Sequence, residues 1–93
     1  MYGVVGEVKI DPARQDEAEK LLHEMVVPMV KSAPGLVAAY WLRSDDGTSG
    51  TSLILFESED AARKAIENQP AALPEDAPVT PIRMEVRRVL AQL

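Results

Sequence analysis

The only histidine of the chain, His23, is the first candidate for chemistry, because a neutral imidazole accepts a proton near neutral pH. It lies in an apolar segment whose spacing predicts a helix, on the flank that also carries Val27 and Val30. That flank indicates a position at the mouth of a cavity or in a subunit contact. Two interpretations stay open: His23 is a proton acceptor, or it is a helix-flank histidine without a catalytic role.

Two adjacent aromatic residues, Tyr40 and Trp41, are the next candidates. They belong to the segment LVAAYWLR, residues 36–43, which is typical of a strand. Because successive strand side chains point to opposite faces, only one of the two can line a given cavity. The other is expected to pack in the core or in an interface.

Charged residues on the first and last predicted strands form a third group. Glu7 is expected to point away from the helices, near Arg83, Glu85 and Arg87 of the last strand. Such charges can orient a polar ligand, and they also commonly form cross-strand ion pairs. Both interpretations stay open.

The composition limits the chemistry available to the chain. With no cysteine there is no disulfide, thiolate nucleophile or Fe–S site, and a single histidine excludes metal sites built from paired imidazoles. No dinucleotide-binding fingerprint is present. We therefore expect no metal, flavin, haem or other cofactor.

Charge and hydropathy also exclude two classes of partner. The net charge is −5, and no more than two Lys or Arg residues are adjacent, so nucleic acid is not an expected partner. The longest uncharged run, residues 32–42, is too short to cross a membrane. Because residue 1 leads directly into a strand-like run without a signal peptide, we expect a cytoplasmic protein.

The first half of the chain predicts a strand over residues 2–10 and a long helix. Asp11 and Pro12 form a helix start, and Pro34-Gly35 a helix stop. The apolar stripe continues through Pro28, so we expect the helix to bend there rather than end. The stripe consists of Ala18, Leu21, Leu22, Met25, Val26, Met29 and Ala33.

The second half predicts strands LVAAYWLR and TSLILFE joined by the loop SDDGTSG, and a helix EDAARKAIEN capped by Ser58. A proline-rich loop over residues 70–81 and a strand IRMEVRRVL follow. The order βαββαβ predicts a single α+β domain over residues 1–93: a ferredoxin-like, four-stranded antiparallel sheet ordered 4-1-3-2, with both helices on one face.

The third strand is apolar on both faces, with Leu53 and Leu55 opposite to Ile54 and Phe56. Because the helices of the chain cover one face only, a second copy is the simplest cover for the other face. The sequence therefore predicts a homodimer.

Three segments resemble the dimeric α/β-barrel superfamily, in particular its antibiotic-biosynthesis-monooxygenase-like branch. They are KIDP, PMVKSAPGL and LILFESEDAARKAIE. The resemblance implies a sheet-to-sheet homodimer, with a ligand cavity between each sheet and its helices. It further implies a cofactor-independent monooxygenase acting on a phenol or quinol that supplies its own electrons, with His23 or Tyr40 helping to deprotonate it.

In that interpretation Trp41 or Arg83 positions the substrate, and Glu7 can help to orient it. Haem-degrading members of the superfamily use an Asn on the first strand, a Trp in the second helix and a His soon after. Gly6, Ala65 and a histidine-free proline loop stand at the matching places, so haem degradation is rejected. Two hypotheses remain: an enzyme of this kind, and a non-catalytic homodimeric module that binds a small ligand or another partner.

Overall fold

The computed structural model of the chain describes residues 1–68 and 76–93. It contains four strands: β1 (Tyr2–Ile10), β2 (Leu36–Arg43), β3 (Ser49–Phe56) and β4 (Val79–Arg88). A first helical segment between β1 and β2 consists of α1 (Gln15–Leu21), a π-helical turn (Leu22–Val26) and α2 (Val27–Lys31). The second, α3 (Glu59–Asn68), follows β3. No helix in the described ranges is long and apolar enough to span a membrane.

The strands form one antiparallel sheet in the order β2-β3-β1-β4, which confirms the predicted order and the ferredoxin-like βαββαβ fold. Val4 and Ile54 are cross-strand neighbours at the centre of the sheet, and both are buried. Together with Phe56, Val30 and Ala62 they form the core between sheet and helices. We call this side the helix face of the sheet and the other side the open face.

The first helical segment begins at Asp11, whose carboxylate accepts a hydrogen bond of 3.0 Å from the Ala13 N–H. The cap starts a short 3₁₀ turn, Pro12–Arg14, which leads into α1. Pro28 lies directly after the π-helical turn, where the Val27 N–H donates to the Leu22 carbonyl five residues back. Because proline lacks an N–H and its ring crowds the preceding turn, the wider turn provides a way to continue the helix past it.

The π-helical turn also corrects the predicted apolar stripe. The spacing of a uniform α-helix places Val30 on the same flank as His23, but Val30 is buried, with 7% of its surface exposed. Met25, which was expected in the apolar stripe, is 41% exposed. Val26 and Ala33 pack against the core as expected. A π turn holds an extra residue, so positions after it are rotated relative to a uniform α-helix. His23 and Val30 therefore do not share a flank.

The helix stop at Pro34-Gly35 is confirmed. Gly35 has φ of +79°, which a residue with a side chain rarely adopts, and a Cβ at this position would lie 2.9 Å from the Ala61 Cβ. The chain therefore passes close to α3 as it turns into β2. The predicted cap of α3 is also present, because the Ala61 N–H donates to the Ser58 hydroxyl at 3.2 Å.

Two predicted strands have different bounds in the structure. β3 is Ser49–Phe56 rather than residues 51–57, so the hairpin loop is shorter, and β4 is Val79–Arg88 rather than residues 82–90. Pro81 lies within β4, opposite Val8 and beside a register shift in the sheet. Proline is tolerated there because β4 is an edge strand. Pro70 and Pro74 of the predicted loop lie outside the described residues.

Candidate functional site

A cavity of about 220 Å³ lies between the helix face of the sheet and the helices. Val4, Ile54 and Phe56 form its floor on the sheet. The remaining lining residues come from the end of the first helical segment and from α3: Met29, Val30, Ser32, Ala33, Pro34, Lys64 and Ala65. The volume lies just below the range of about 300–1,000 Å³ that is usual for ligand pockets, so a molecule of one or two rings matches it.

The walls of this cavity are almost entirely apolar. Of the two polar side chains, Ser32 uses its hydroxyl hydrogen within its own helix, donating to the Met29 carbonyl at 2.9 Å. Lys64 is exposed and is the one charged residue among the described residues that line the cavity. The cavity thus has apolar walls and a cationic side chain at its edge. This arrangement suits an aromatic molecule with a polar end.

Trp41 lies on the helix face, partly buried and packed against the core. Its neighbours across the sheet are Ser52, then Gly6, then Met84. A Cβ at Gly6 would lie 2.7 Å from the Ser52 Oγ, so a side chain there would require the Ser52 hydroxyl to rotate away. Trp41 therefore shares the side of the sheet that holds the cavity, although it is not among the cavity-lining residues.

His23 lies in the π-helical turn, and its side chain is exposed. The cavity is lined by residues later in the same helical segment, from Met29 onward, and His23 does not contact it. An exposed imidazole on this turn is available to solvent or to a second molecule. Its use as a proton acceptor for a ligand in the cavity remains a prediction.

Tyr40 lies on the open face and is 56% exposed. The row across the sheet at this position runs Tyr40, Leu53, Val5 and Glu85, and the next row runs Leu42, Thr51, Glu7 and Arg83. The β2 and β3 side of the open face is therefore largely apolar, and the β4 side is charged. Leu42 is 61% exposed in the same patch.

The charged side of the open face contains two ion pairs. The Arg83 guanidinium donates to the Glu7 carboxylate at 2.9 Å, and this hydrogen bond raises the pKa of Arg83 above its ordinary value. Arg87 donates to Glu85, which lowers the pKa of Glu85. The structure thus brings Glu7 and Arg83 together as the sequence predicted, on the face of the sheet opposite to the cavity.

A second, more open recess of about 530 Å³ lies between the open face and the segment that follows β4. Tyr40, Leu53 and Leu55 line one side, and residues 87–93 line the other. Among the side chains of residues 1–68 and 76–93, no group of three or more His, Cys, Asp or Glu could hold a metal ion.

The five predicted site residues therefore lie in three places. Trp41 is on the helix face, Tyr40, Glu7 and Arg83 are on the open face, and His23 is on the helix exterior. The sequence analysis did not identify Lys64 as a candidate, because it considered the segment EDAARKAIEN only as a capped helix. The signal that was available is a lysine next to Ala65, at the edge of the packed stripe.

The first 71 residues match the family model of antibiotic biosynthesis monooxygenases, and the chain belongs to this family. A search of curated proteins by sequence found no significant match.

Solved structures with the same fold cover nearly the whole chain. SnoaB, a cofactor-independent oxygenase from Streptomyces nogalater, has a TM-score of 0.69 at 21% identity, covering 99% of this chain and 95% of its own. The monooxygenase ActVA-Orf6 of Streptomyces coelicolor, in complex with nanaomycin D, has a TM-score of 0.61 at 21% identity, with 99% and 91% covered. MhuD, a haem degrader from Mycobacterium tuberculosis, has a TM-score of 0.73 at 19% identity, with 100% and 99% covered.

Proposed function

We propose that the protein is a cofactor-independent monooxygenase that oxidises a small phenol or quinol bound between the sheet and the helices. The observation that carries the proposal is the apolar cavity of about 220 Å³ above Val4, Ile54 and Phe56 in a chain of the monooxygenase family. An oxygenase of this fold in Streptomyces nogalater works without a cofactor, which supports the same chemistry here.

The reaction draws all of its electrons from the substrate. Loss of the phenol proton gives a phenolate, which transfers an electron to O₂, and the two radicals combine at a ring carbon as a hydroperoxide. The hydroperoxide loses water and leaves a quinone. A phenol with a free position opposite its hydroxyl thus consumes one O₂, keeps one oxygen atom and releases the other as water, a four-electron oxidation without an external reductant.

The roles of the side chains follow from the two faces of the sheet. Trp41 shares the helix face with the cavity without lining it, and it is proposed to help position the ring. His23 is the proton acceptor to test first. Tyr40, Arg83 and Glu7 lie beneath the sheet as seen from the cavity, so a ligand in the cavity of the same protomer does not reach them. In this proposal they belong to the contact between two copies of the chain.

The proposed assembly is a homodimer with the open faces packed together. Its support is the exposed patch of Tyr40, Leu42 and Leu53, which the helices of the chain leave uncovered. Sedimentation at micromolar concentration should show a dimer, and Leu53→Asp should convert it to a folded monomer. Met25→Asp, a comparably exposed position on the helix, is the matched control and should leave the dimer intact. A monomeric wild type contradicts this assembly.

The enzymatic proposal is tested by following O₂ consumption with 1-naphthol, against buffer and heat-denatured protein. We expect one O₂ consumed and one quinone formed per 1-naphthol, with no added reductant and no loss of activity in the presence of a chelator. His23→Ala should lower turnover about 10²-fold if His23 is the base, and Glu24→Ala, at the adjacent exposed position, should not. If turnover persists in the His23 variant, His23 is not the base.

A second function, binding of a small ligand without catalysis, is favoured by one observation: neither His23 nor Tyr40 lines the cavity. In that case phenols should raise the melting temperature by mass action, while O₂ consumption stays at the buffer rate. The same titration therefore separates the two functions.

A further inference from the structure

Of the described residues that line the cavity, one carries a charge. Lys64 lines it from α3, next to Ala65, and the hydroxyl of Ser32, the other polar lining side chain, already donates to the Met29 carbonyl. A ligand in the cavity therefore finds apolar surface on most sides and a cation at one edge. A buried aromatic body with one anionic group matches this distribution.

Among the residues that the structure describes, no carboxylate pairs with the ammonium group of Lys64. Arg63, the preceding residue, pairs with Glu59 four residues back, with 2.8 Å between the guanidinium nitrogen and the carboxylate oxygen. Lys64 has the equivalent acidic residue at Asp60, yet within the described part of the chain no carboxylate lies within 4.0 Å of its Nζ. Its charge is thus available at the edge of the cavity.

We propose that Lys64 is a specificity residue that binds an anionic oxygen of the substrate while the aromatic ring occupies the cavity, an inference that rests on the proposed function. The anionic oxygen is a phenolate or a ring carboxylate, and the charge-assisted hydrogen bond from Lys64 is the same for both. For a phenol substrate this contact stabilises the ionised form, the form that transfers an electron to O₂.

Binding of two probes in the absence of O₂ tests the proposal. At about pH 7 a simple phenol with a pKa of about 10 is uncharged, so 1-naphthol reports the ring alone, whereas 1-hydroxy-2-naphthoate carries a carboxylate. Lys64→Met should weaken binding of 1-hydroxy-2-naphthoate about tenfold to a hundredfold and leave 1-naphthol binding unchanged. Lys64→Arg should restore most of the lost affinity, and Lys20→Met, a lysine outside the cavity lining, should change neither.

The pH dependence of 1-naphthol binding separates the two kinds of anionic oxygen. Bound to the wild type, 1-naphthol should ionise at a lower pH than when bound to the Lys64→Met variant, if the lysine also serves phenolates. If bound 1-naphthol ionises at the same pH in the wild type and in the Lys64→Met variant, while the affinity for 1-hydroxy-2-naphthoate depends on Lys64, the site binds carboxylates rather than phenolates. Equal losses for both probes in Lys64→Met, no loss for either, or no binding of either probe to the wild type overturns the proposal. If binding depends on Lys64 but no O₂ is consumed, the proposed role of Lys64 is supported and the proposed monooxygenase activity is contradicted.

Discussion

The two faces of the sheet are built from the same strands but have different surroundings. On the helix face Val4, Ile54 and Phe56 are almost completely buried under the helices. On the open face the neighbouring residues Leu53 and Tyr40 keep 36% and 56% of their surface exposed. Alternation along each strand thus gives the sheet a packed side with a cavity and an apolar, partly charged side that none of the described helices covers.

The difference separates two tasks. A cavity with apolar walls favours uptake of a small molecule, because it removes apolar ligand surface from water. An apolar patch bordered by the ion pairs Glu7–Arg83 and Glu85–Arg87 is typical of a surface that contacts another protein. The candidate residues identified from the sequence therefore do not lie on one surface of the protein.

Truncation on the helix face should have the largest effect. Phe56 is 1% exposed, so Phe56→Ala should lower the free energy of unfolding by about 3–5 kcal/mol through lost burial and a new void. Leu53→Ala, from the same strand on the open face, should cost clearly less when monomers are compared. Urea denaturation over a range of protein concentrations measures both, and equal losses would show that the two faces are not energetically distinct.

Gly35→Ala tests how closely the chain approaches α3 above the helix face. The substitution places a side chain at φ of +79°, which costs about 1–2 kcal/mol, and adds an overlap at 2.9 Å with the Ala61 Cβ. The double variant with Ala61→Gly should recover the part due to the overlap and keep the backbone part. Thermal denaturation of the single and double variants measures this, and full recovery in the double variant would show that the backbone conformation carries no cost.

We expect the smallest change in stability from a substitution in the hairpin loop that joins β2 and β3. This loop sets the register of the two strands, and thereby which of their residues lie on each face of the sheet. Hydrogen bonds to the Asp46 carboxylate from the Ser44 hydroxyl, and then from Thr48, lower its pKa from 3.8 to about 2. A lowered pKa in the folded state means that ionised Asp46 stabilises the fold fully above about pH 4, and that this contribution fades as the pH falls toward 2.

Asp46→Asn should therefore be less stable than the wild type at neutral pH, and the difference should shrink across that acid window. Denaturation at a series of pH values measures the difference. A gap between the two proteins that stays constant down to about pH 2 would contradict the role of the carboxylate charge.

The sequence predicted most of the fold because the information is local. The strand over residues 36–43 and the helix over residues 59–68 have the predicted bounds. Glu7 contacts Arg83 because the alternation of side chains along each strand and the strand order place both residues on one face. The burial of Val30 was not predictable from the regular spacing of an α-helix, since it depends on a π-helical turn before Pro28. Lys64 was missed because the cavity arises from the gap between two helices and the sheet, which no single segment encodes.

The most direct test of the central claim, that the ligand binds on the helix face, is a methyl spectrum of the protein with isotope-labelled methionine during titration with 1-naphthol. Met29 lines the cavity, Met25 is exposed on the same helical segment, and Tyr40 marks the open face. Because an aromatic ring shifts the signals of nearby groups, we predict that the Met29 methyl signal moves most and that of Met25 stays in place. In a second sample with isotope-labelled tyrosine, the ring signals of Tyr40 should also stay in place. Movement of the Tyr40 signals with an unchanged Met29 would contradict the account.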